Sequence, residues 1–530
     1  MRRLLLAGAA ALLLGAGSLA SGALAVTFRW ANDGDVNSMD PYARNETFLL
    51  TFTANIYEPL VRRNRELRVE PALATSWSQP SPTVWRFNLR QNVRFHGGEP
   101  FTADDVLFSA ERVRAQGSNL TSVLSSVKEI RKVDDFTVEF ETHQPDPIFL
   151  EEITTWVMMS RRWAEANNAT RTVDLTTGQE NFATRNANGT GPFILASREP
   201  DRRTVLRVNP NWWDRVEHNL TEVQFNVIAN DATRIAALLS GEVDMVYTVP
   251  PQDTERLSRQ QNIRIHQQAE LRTVFLGFDQ ARDELLKSDV RGRNPFRDVR
   301  VRRAFQQAID LEAIRTRIMR GQSRPSALMY GPGVNGYVPA EDRIVRPDPD
   351  GARRLLAEAG YPNGFGITMD CPNDRYVNDE AICTAIVSML ARIGVRVTLN
   401  AQTRARYFAE ILAPRYQTSF YLLGWTPTTY DAHNTFFNIM ASRDASRQRG
   451  VFNSGGWSNP EFDRIVDQIA VETNPARRQE LINQANRIHI EDVGHIPLHQ
   501  QTVVWAARSN ITLQQMADNY FPLRYVRVGQ

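Results

Sequence analysis

Two packed α/β lobes are what this sequence predicts, and three features predict it. Helical and strand-like patterns alternate along the chain. A short apolar strand at residues 274–278 hands the chain near its midpoint to a helix that begins behind Asp298. Far downstream a second short crossing, Ile496-Pro497-Leu498, returns it. At 530 residues the chain exceeds what one core organises, and its 42% apolar and 23% charged residues are those of a soluble globular protein. The expected division is one lobe over residues 26–278 plus 497–530, with an accessory subdomain near 60–185, and a second lobe over 279–496. The two crossings, near residues 278–280 and 496–498, would be the hinge.

Residues 1–25 come first. They carry Arg2-Arg3, an apolar stretch to Leu14 and then Ala23-Leu24-Ala25, the charge, length and small-residue ending of a secretory leader cleaved after Ala25. The apolar stretch is too short to span a bilayer, and Gly15, Gly17, Ser18 and Ser21 interrupt its continuation. No cysteine lies near the cleavage point to take a lipid, so a freely diffusing periplasmic protein is expected. Removing Arg2 and Arg3 from the 62 basic side chains leaves 60 against 60 acidic ones, which excludes a nucleic-acid partner of the basic-patch type.

The mature chain opens with a strand at residues 27–30 and the turn Ser38-Met39-Asp40-Pro41. A helical stretch closes at Asn55-Ile56-Tyr57-Glu58-Pro59, and Val84, Trp85, Phe87, Leu89, Val93 and Phe95 mark a hairpin-rich passage. Thr102 with Asp105 forms a capping-box pattern before a helix whose apolar side holds Val106, Leu107, Ala110 and Val113, so Asp104 and Asp105 read as helix-start carboxylates rather than a catalytic pair. His96, beside Gly97-Gly98, reads as a turn residue. Next come the glycine turn Gly189-Thr190-Gly191-Pro192-Phe193, the aromatic loop Asn209-Pro210-Asn211-Trp212-Trp213, and a helix through Arg234 and Leu238 stopped at Gly241. Beyond the midpoint, Asp310 caps a helix ended by Gly321, and further helices are expected at 352–360 and 379–393 before a strand at 395–399. No internal repeat or low-complexity tract occurs.

Catalytic signatures are absent. Residues 331–336, Gly-Pro-Gly-Val-Asn-Gly, match the spacing of a dinucleotide loop, but Tyr337-Val338-Pro339 follows where that loop must open a helix. No nucleophile elbow, Walker A pattern or paired-histidine zinc helix is present. His489, His495 and His499 are the only histidine cluster, and Pro497 rules out helical chelation between the last two. No catalytic residue, metal or cofactor is therefore assigned. Cys371 and Cys383, the only cysteines and twelve apart in an exported chain, read as one local disulfide.

Binding chemistry concentrates after the apolar strand ending at Gly424. A loop there presents Trp425, Thr428, Tyr430, Asp431 and His433, which is how a rigid scaffold offers recognition groups. The competing reading leaves Trp425 in a core and Asp431 as a helix cap.

Tyr57-Glu58-Pro59-Leu60, Pro71-Ala72-Leu73-Ala74, Val93-Arg94-Phe95-His96 and the blocks after them occur in the order that resembles family 5 extracytoplasmic solute-binding proteins. These are the peptide-binding components of bacterial ABC importers, and the likeness runs over nearly the whole mature chain. It implies a type II periplasmic binding fold, closure on cargo by hinge motion, an inner-membrane ABC permease as partner, a small peptide or peptide-like ligand, a monomer and no enzymatic activity. In the peptide binders an aspartate three residues after the tryptophan grips the ligand's ammonium. Here that position is Thr428, and Asp431 matches a second acidic position. Rival readings are the same role with a metal chelate, an opine or an oligosaccharide as cargo, or an exported hydrolase.

Overall fold

A computed structural model describes residues 25–529. Apart from Ala25, the leader read in residues 1–25 lies outside them. One eleven-stranded mixed sheet runs through both halves of the molecule. Its order is Arg396–Gln402, Gly366–Pro372, Phe420–Trp425, Ile263–Phe278, His495–Arg508, Met245–Val246, Thr27–Asn32, Glu222–Val227, Arg203–Val208 and Phe193–Glu199, with Ser323–Pro325 added to the flank of His495–Arg508. A separate four-stranded antiparallel sheet, Ala74–Ser81, Val84–Leu89, Thr137–Thr142 and Val127–Asp134, lies in the region expected to hold the accessory subdomain.

The two longest strands, Ile263–Phe278 and His495–Arg508, pair antiparallel and connect the halves. Their core partners change along their length. Ile263, Val504 and Ala506 pack with Ile235 and Leu238, whereas Val274, Leu276, Phe278, Ile496 and Leu498 pack with Phe296, Phe305 and Phe420. Between them the pairing slips at Ala269–Thr273, where Glu270, Leu271 and Arg272 stand against the single residue Gln501, between the pairs Ala269–Thr502 and Thr273–Gln500.

Phe278 pairs with Phe420 and Leu276 with Ile496 inside the second core, and a second register break at Val274/Phe275 leaves Leu498 without a ladder partner. The sequence showed only the apolar half of the strand because residues 264–268, apart from Ile265, are polar and exposed or half-buried.

Local signals set many element ends. Asp105 Oδ2 accepts the Thr102 amide at 2.9 Å and its Oδ1 accepts the Arg161 amide at 2.9 Å, so this carboxylate is a cap that also fixes a neighbouring chain. Asp298 caps Val299–Ala308, and Gly241 ends Asp231–Ser240 with φ +82°. Gly189 is required by contact: a Cβ there would lie 2.0 Å from the Ile56 carbonyl oxygen, and His96 Nε2 lies 3.0 Å from the Gly191 oxygen. Cys371, in strand Gly366–Pro372, and Cys383, in helix Asp379–Ala391, form a disulfide.

His489 and His495 face each other at 3.0 Å in the interior, and His499 is buried on the same strand as His495. Burial lowers all three, His495 to about 3 and His499 to about 4, which leaves them neutral. Among the described residues no group of three or more His, Cys, Asp or Glu could hold a metal ion.

Candidate binding cavity

The strands Gly366–Pro372 and Phe420–Trp425 run parallel, Asp370 opposite Tyr421, and both end toward the first half of the molecule. Ligand sites in open α/β sheets form at such strand ends. The loop after the first supplies Arg375 and Tyr376; the loop after the second supplies Trp425, Thr426, Thr428 and Tyr430. Facing them from the first half are Asn45, Glu46, Arg62 and Arg63, and from the C-terminal segment Asp518 and Arg524. Together they enclose a cavity of about 170 Å³ with a mainly apolar lining that includes Leu50, Phe408, Leu423 and Phe452.

Gly424 makes the approach possible. A Cβ there would lie 2.8 Å from Tyr376 Cε1 and 3.0 Å from Arg272 Cδ, so any larger residue displaces the two side chains that cross it. Arg272 is fully buried, paired with Glu270 at 3.0 Å, and reaches Thr426 Oγ1 at 3.2 Å and Thr47 Oγ1 at 2.9 Å. The bulge between the halves is thus tied to both walls.

Glu46 links the two walls of the cavity. It caps the helix Thr47–Thr53, accepting the Leu49 amide at 3.0 Å, and meets Arg375 at 3.1 Å and Arg404 at 3.8 Å, both from the opposite half. Burial alone would raise its carboxyl, but the two guanidinium groups and the helix amides outweigh that and hold it at about 2. Arg63 makes a second link, lying 3.8 Å over the Tyr430 ring and donating to the Thr428 carbonyl at 3.3 Å.

The five residues singled out in the sequence separate. Trp425 lines the cavity, its indole donating to Asn434 Oδ1 at 2.9 Å and packed on Phe452. Thr428 lines it too, its hydroxyl accepting from Asn434 at 3.3 Å. Tyr430 lines it with a left-handed φ of 55°, held there by Arg63, by the Asn335 amide on its carbonyl at 2.7 Å, and by its hydroxyl on Asp518.

Asp431 does not line the cavity. Only 2% exposed, it takes both guanidinium nitrogens of Arg478 at 2.6 and 2.7 Å, Asn335 Nδ2 at 2.7 Å and the His433 amide at 2.9 Å. Its acceptor capacity is spent inside the second half, so it cannot also take over the ammonium-reading role that the Thr428 departure left open. His433 stands on a small side chamber with Glu152 and Asn438, and burial lowers it to about 4.

Sequence reading missed Glu46, Arg63, Arg272, Arg375, Asp518 and Arg524. One available signal was unused: Arg375-Tyr376 follows a buried strand just as Trp425 does. Asp518 and Arg524 carry no local signal, because only the C-terminal return brings them to the cavity.

Residues 68–447, well over half of the chain, match the model for bacterial extracellular solute-binding proteins, family 5. The glutathione-binding protein GsiB of Shigella flexneri is 22% identical over 487 residues, covering 90% of this chain and 89% of its own. Among solved structures, the periplasmic binding protein DppA of Helicobacter pylori in complex with the peptide STSA superposes with a TM-score of 0.84 at 24% identity, over 95% of this chain and 98% of that one. AgaA of A. tumefaciens R10, in complex with agropinic acid, gives 0.83 at 22% identity, over 95% and 99%. These relatives are binding proteins, and the two solved ones share its two-lobed periplasmic binding fold. The chain belongs to the bacterial extracellular solute-binding proteins, family 5.

Proposed function

We propose that this protein captures a peptide or peptide-like solute in the cavity between its two halves and delivers it to an inner-membrane ABC permease, acting as an exported, non-enzymatic monomer in the periplasm. The observation that supports this best is the cavity itself, roofed and floored by different cores and bridged by Glu46 to Arg375 and Arg404. Such an arrangement seals a small solute from water only when the halves are together, so cargo and closure are thermodynamically coupled. The lobes are residues 26–278 with 497–530, against 279–496. Their hinge is the strand pair that joins them near these crossings, whose ladder is interrupted at Ala269/Thr273 and again at Val274/Phe275.

Native mass spectrometry of the protein taken from its own periplasm, with scattering before and after the cargo is removed, tests the reading. A bound solute of peptide-like mass and a smaller radius of gyration in its presence are expected. A protein that carries no solute, and whose radius does not respond to saturating peptide mixtures, would refute it.

A further inference from the structure

Six arginines line the cavity, Arg44, Arg62, Arg63, Arg272, Arg375 and Arg524, against three carboxylates, Glu46, Glu58 and Asp518. Four of the six are matched by a carboxylate: Arg62 by Glu70 at 2.8 Å and Asp214 at 2.5 Å, Arg63 by Glu151 at 3.0 Å, Arg272 by Glu270 at 3.0 Å and Arg375 by Glu46 at 3.1 Å. The lining carboxylates are occupied as well. Glu58 accepts from the Trp212 and Trp213 indoles at 3.1 and 2.7 Å and from Thr190 at 2.9 Å, while Asp518 accepts from the Tyr430 hydroxyl and the Tyr520 amide.

Two guanidinium groups remain. Arg524 donates only to the Arg63 carbonyl and the Tyr525 hydroxyl, and its Nε is buried with no partner. Arg44, half-buried on the cavity wall, has neither a hydrogen bond nor an ion pair among the described residues. Burial pushes both below the usual arginine range, and the carboxylates nearest them, Glu46 and Asp174 for Arg44 and Glu58 for Arg524, offset this only in part. Glu46 Oε1 also has no hydrogen-bond partner, but it already faces Arg375 at 3.1 Å, so the charge left unmatched in this cavity is positive, and Thr428 and the saturated Asp431 add no free carboxylate.

We propose that the cargo is an anion, a solute whose carboxylate or phosphate is seated on the free guanidinium of Arg44, and that a free primary ammonium is not required for its capture. This rests on the solute-binding reading above and deepens it by naming the cargo's charge class. A fork of five N–H donors suits either oxyanion, and pairing it with an anion in a water-poor cavity gives strong charge-assisted hydrogen bonds.

Calorimetry and thermal shift on the mature protein at fixed ionic strength test it with three degenerate tripeptide pools, one with free termini, one N-acetylated and one C-amidated, and with acetate and inorganic phosphate. The N-acetylated pool should bind at least as well as the free pool, and the C-amidated pool at least about tenfold more weakly. Arg44→Met should cut binding of the N-acetylated pool by a similar factor without lowering the unfolding midpoint of the empty protein, and Arg44→Lys should restore part of it. Equal binding of the amidated and acetylated pools, or an Arg44→Met protein that binds like wild type, overturns the proposal. If no pool binds, the peptide reading fails while the anion inference is still decided. A saturable response to acetate or phosphate that Arg44→Met abolishes upholds it and tells carboxylate from phosphate, and no such response overturns it.

Discussion

Replacing Asp431 by asparagine separates a structural carboxylate from a recognition one. The substitution keeps shape and capping ability, since asparagine caps helices about as well as aspartate. What it removes is the charge facing Arg478, which is 6% exposed and takes both Asp431 oxygens at 2.6 and 2.7 Å. At such distances the gross attraction is about 6 kcal/mol at an effective dielectric constant near 20, and desolvation of the two groups offsets much of it. Removing one partner leaves the other charge buried, so the expected loss is roughly 3 to 5 kcal/mol. With about 2 cal/mol/K of unfolding entropy per residue, that lowers the melting temperature by about 3 to 5 °C if about 500 residues unfold together, and about twice that if the second half unfolds alone. Urea denaturation and calorimetry on wild type and Asp431→Asn measure it, and cargo affinity should change little. Stability within about 1 kcal/mol of wild type, together with a large loss of affinity, would refute the reasoning and return Asp431 to the ligand.

The Glu46 carboxyl, held at about 2 against an ordinary 4.5, should contribute roughly 3 kcal/mol that is fully present above pH about 4.5 and lost as pH falls toward 2. Glu46→Gln, which can still accept the Leu49 amide, should flatten that part of the stability–pH curve, read by urea titrations between pH 7 and 3; an unchanged acid slope counts against the link. Replacing Cys371 and Cys383 by serine opens a short loop and should lower stability by about 3 kcal/mol on the chain-entropy estimate, measured by denaturation without reductant. Gly424→Ala should weaken cargo binding at least about tenfold and lower stability by about 1 to 3 kcal/mol, because its Cβ presses on the buried Tyr376 and Arg272 at the cavity wall; unaltered affinity in calorimetry would show that these side chains have room to move.

Elements whose ends carry their own chemistry were legible in the sequence. Asp298 before Val299–Ala308, Gly241 after Asp231–Ser240 and the Thr102–Asp105 start each act on backbone groups within a few residues, so neighbours along the chain suffice to specify them. The short apolar strands were legible for the same reason. The long connecting strand was not, because the polar half of Ile263–Phe278 is a strand only by pairing with residues more than two hundred positions away. The same limit governs the site. Trp425, Thr428 and Tyr430 were readable as a loop delivered by a buried strand, and they do line the cavity.

By itself, then, the chain determined what short-range forces determine: helix ends, buried strands, a near-neutral composition and the block order of its family. Charge pairing was decided only in three dimensions. Asp431 looked available until Arg478, 47 residues on, was brought within 2.7 Å of it, and Arg44 looked like one arginine among many until every other arginine of the cavity but Arg524 acquired a carboxylate. Coulomb attraction depends on distance through space and on local water, and neither quantity is written in sequence separation.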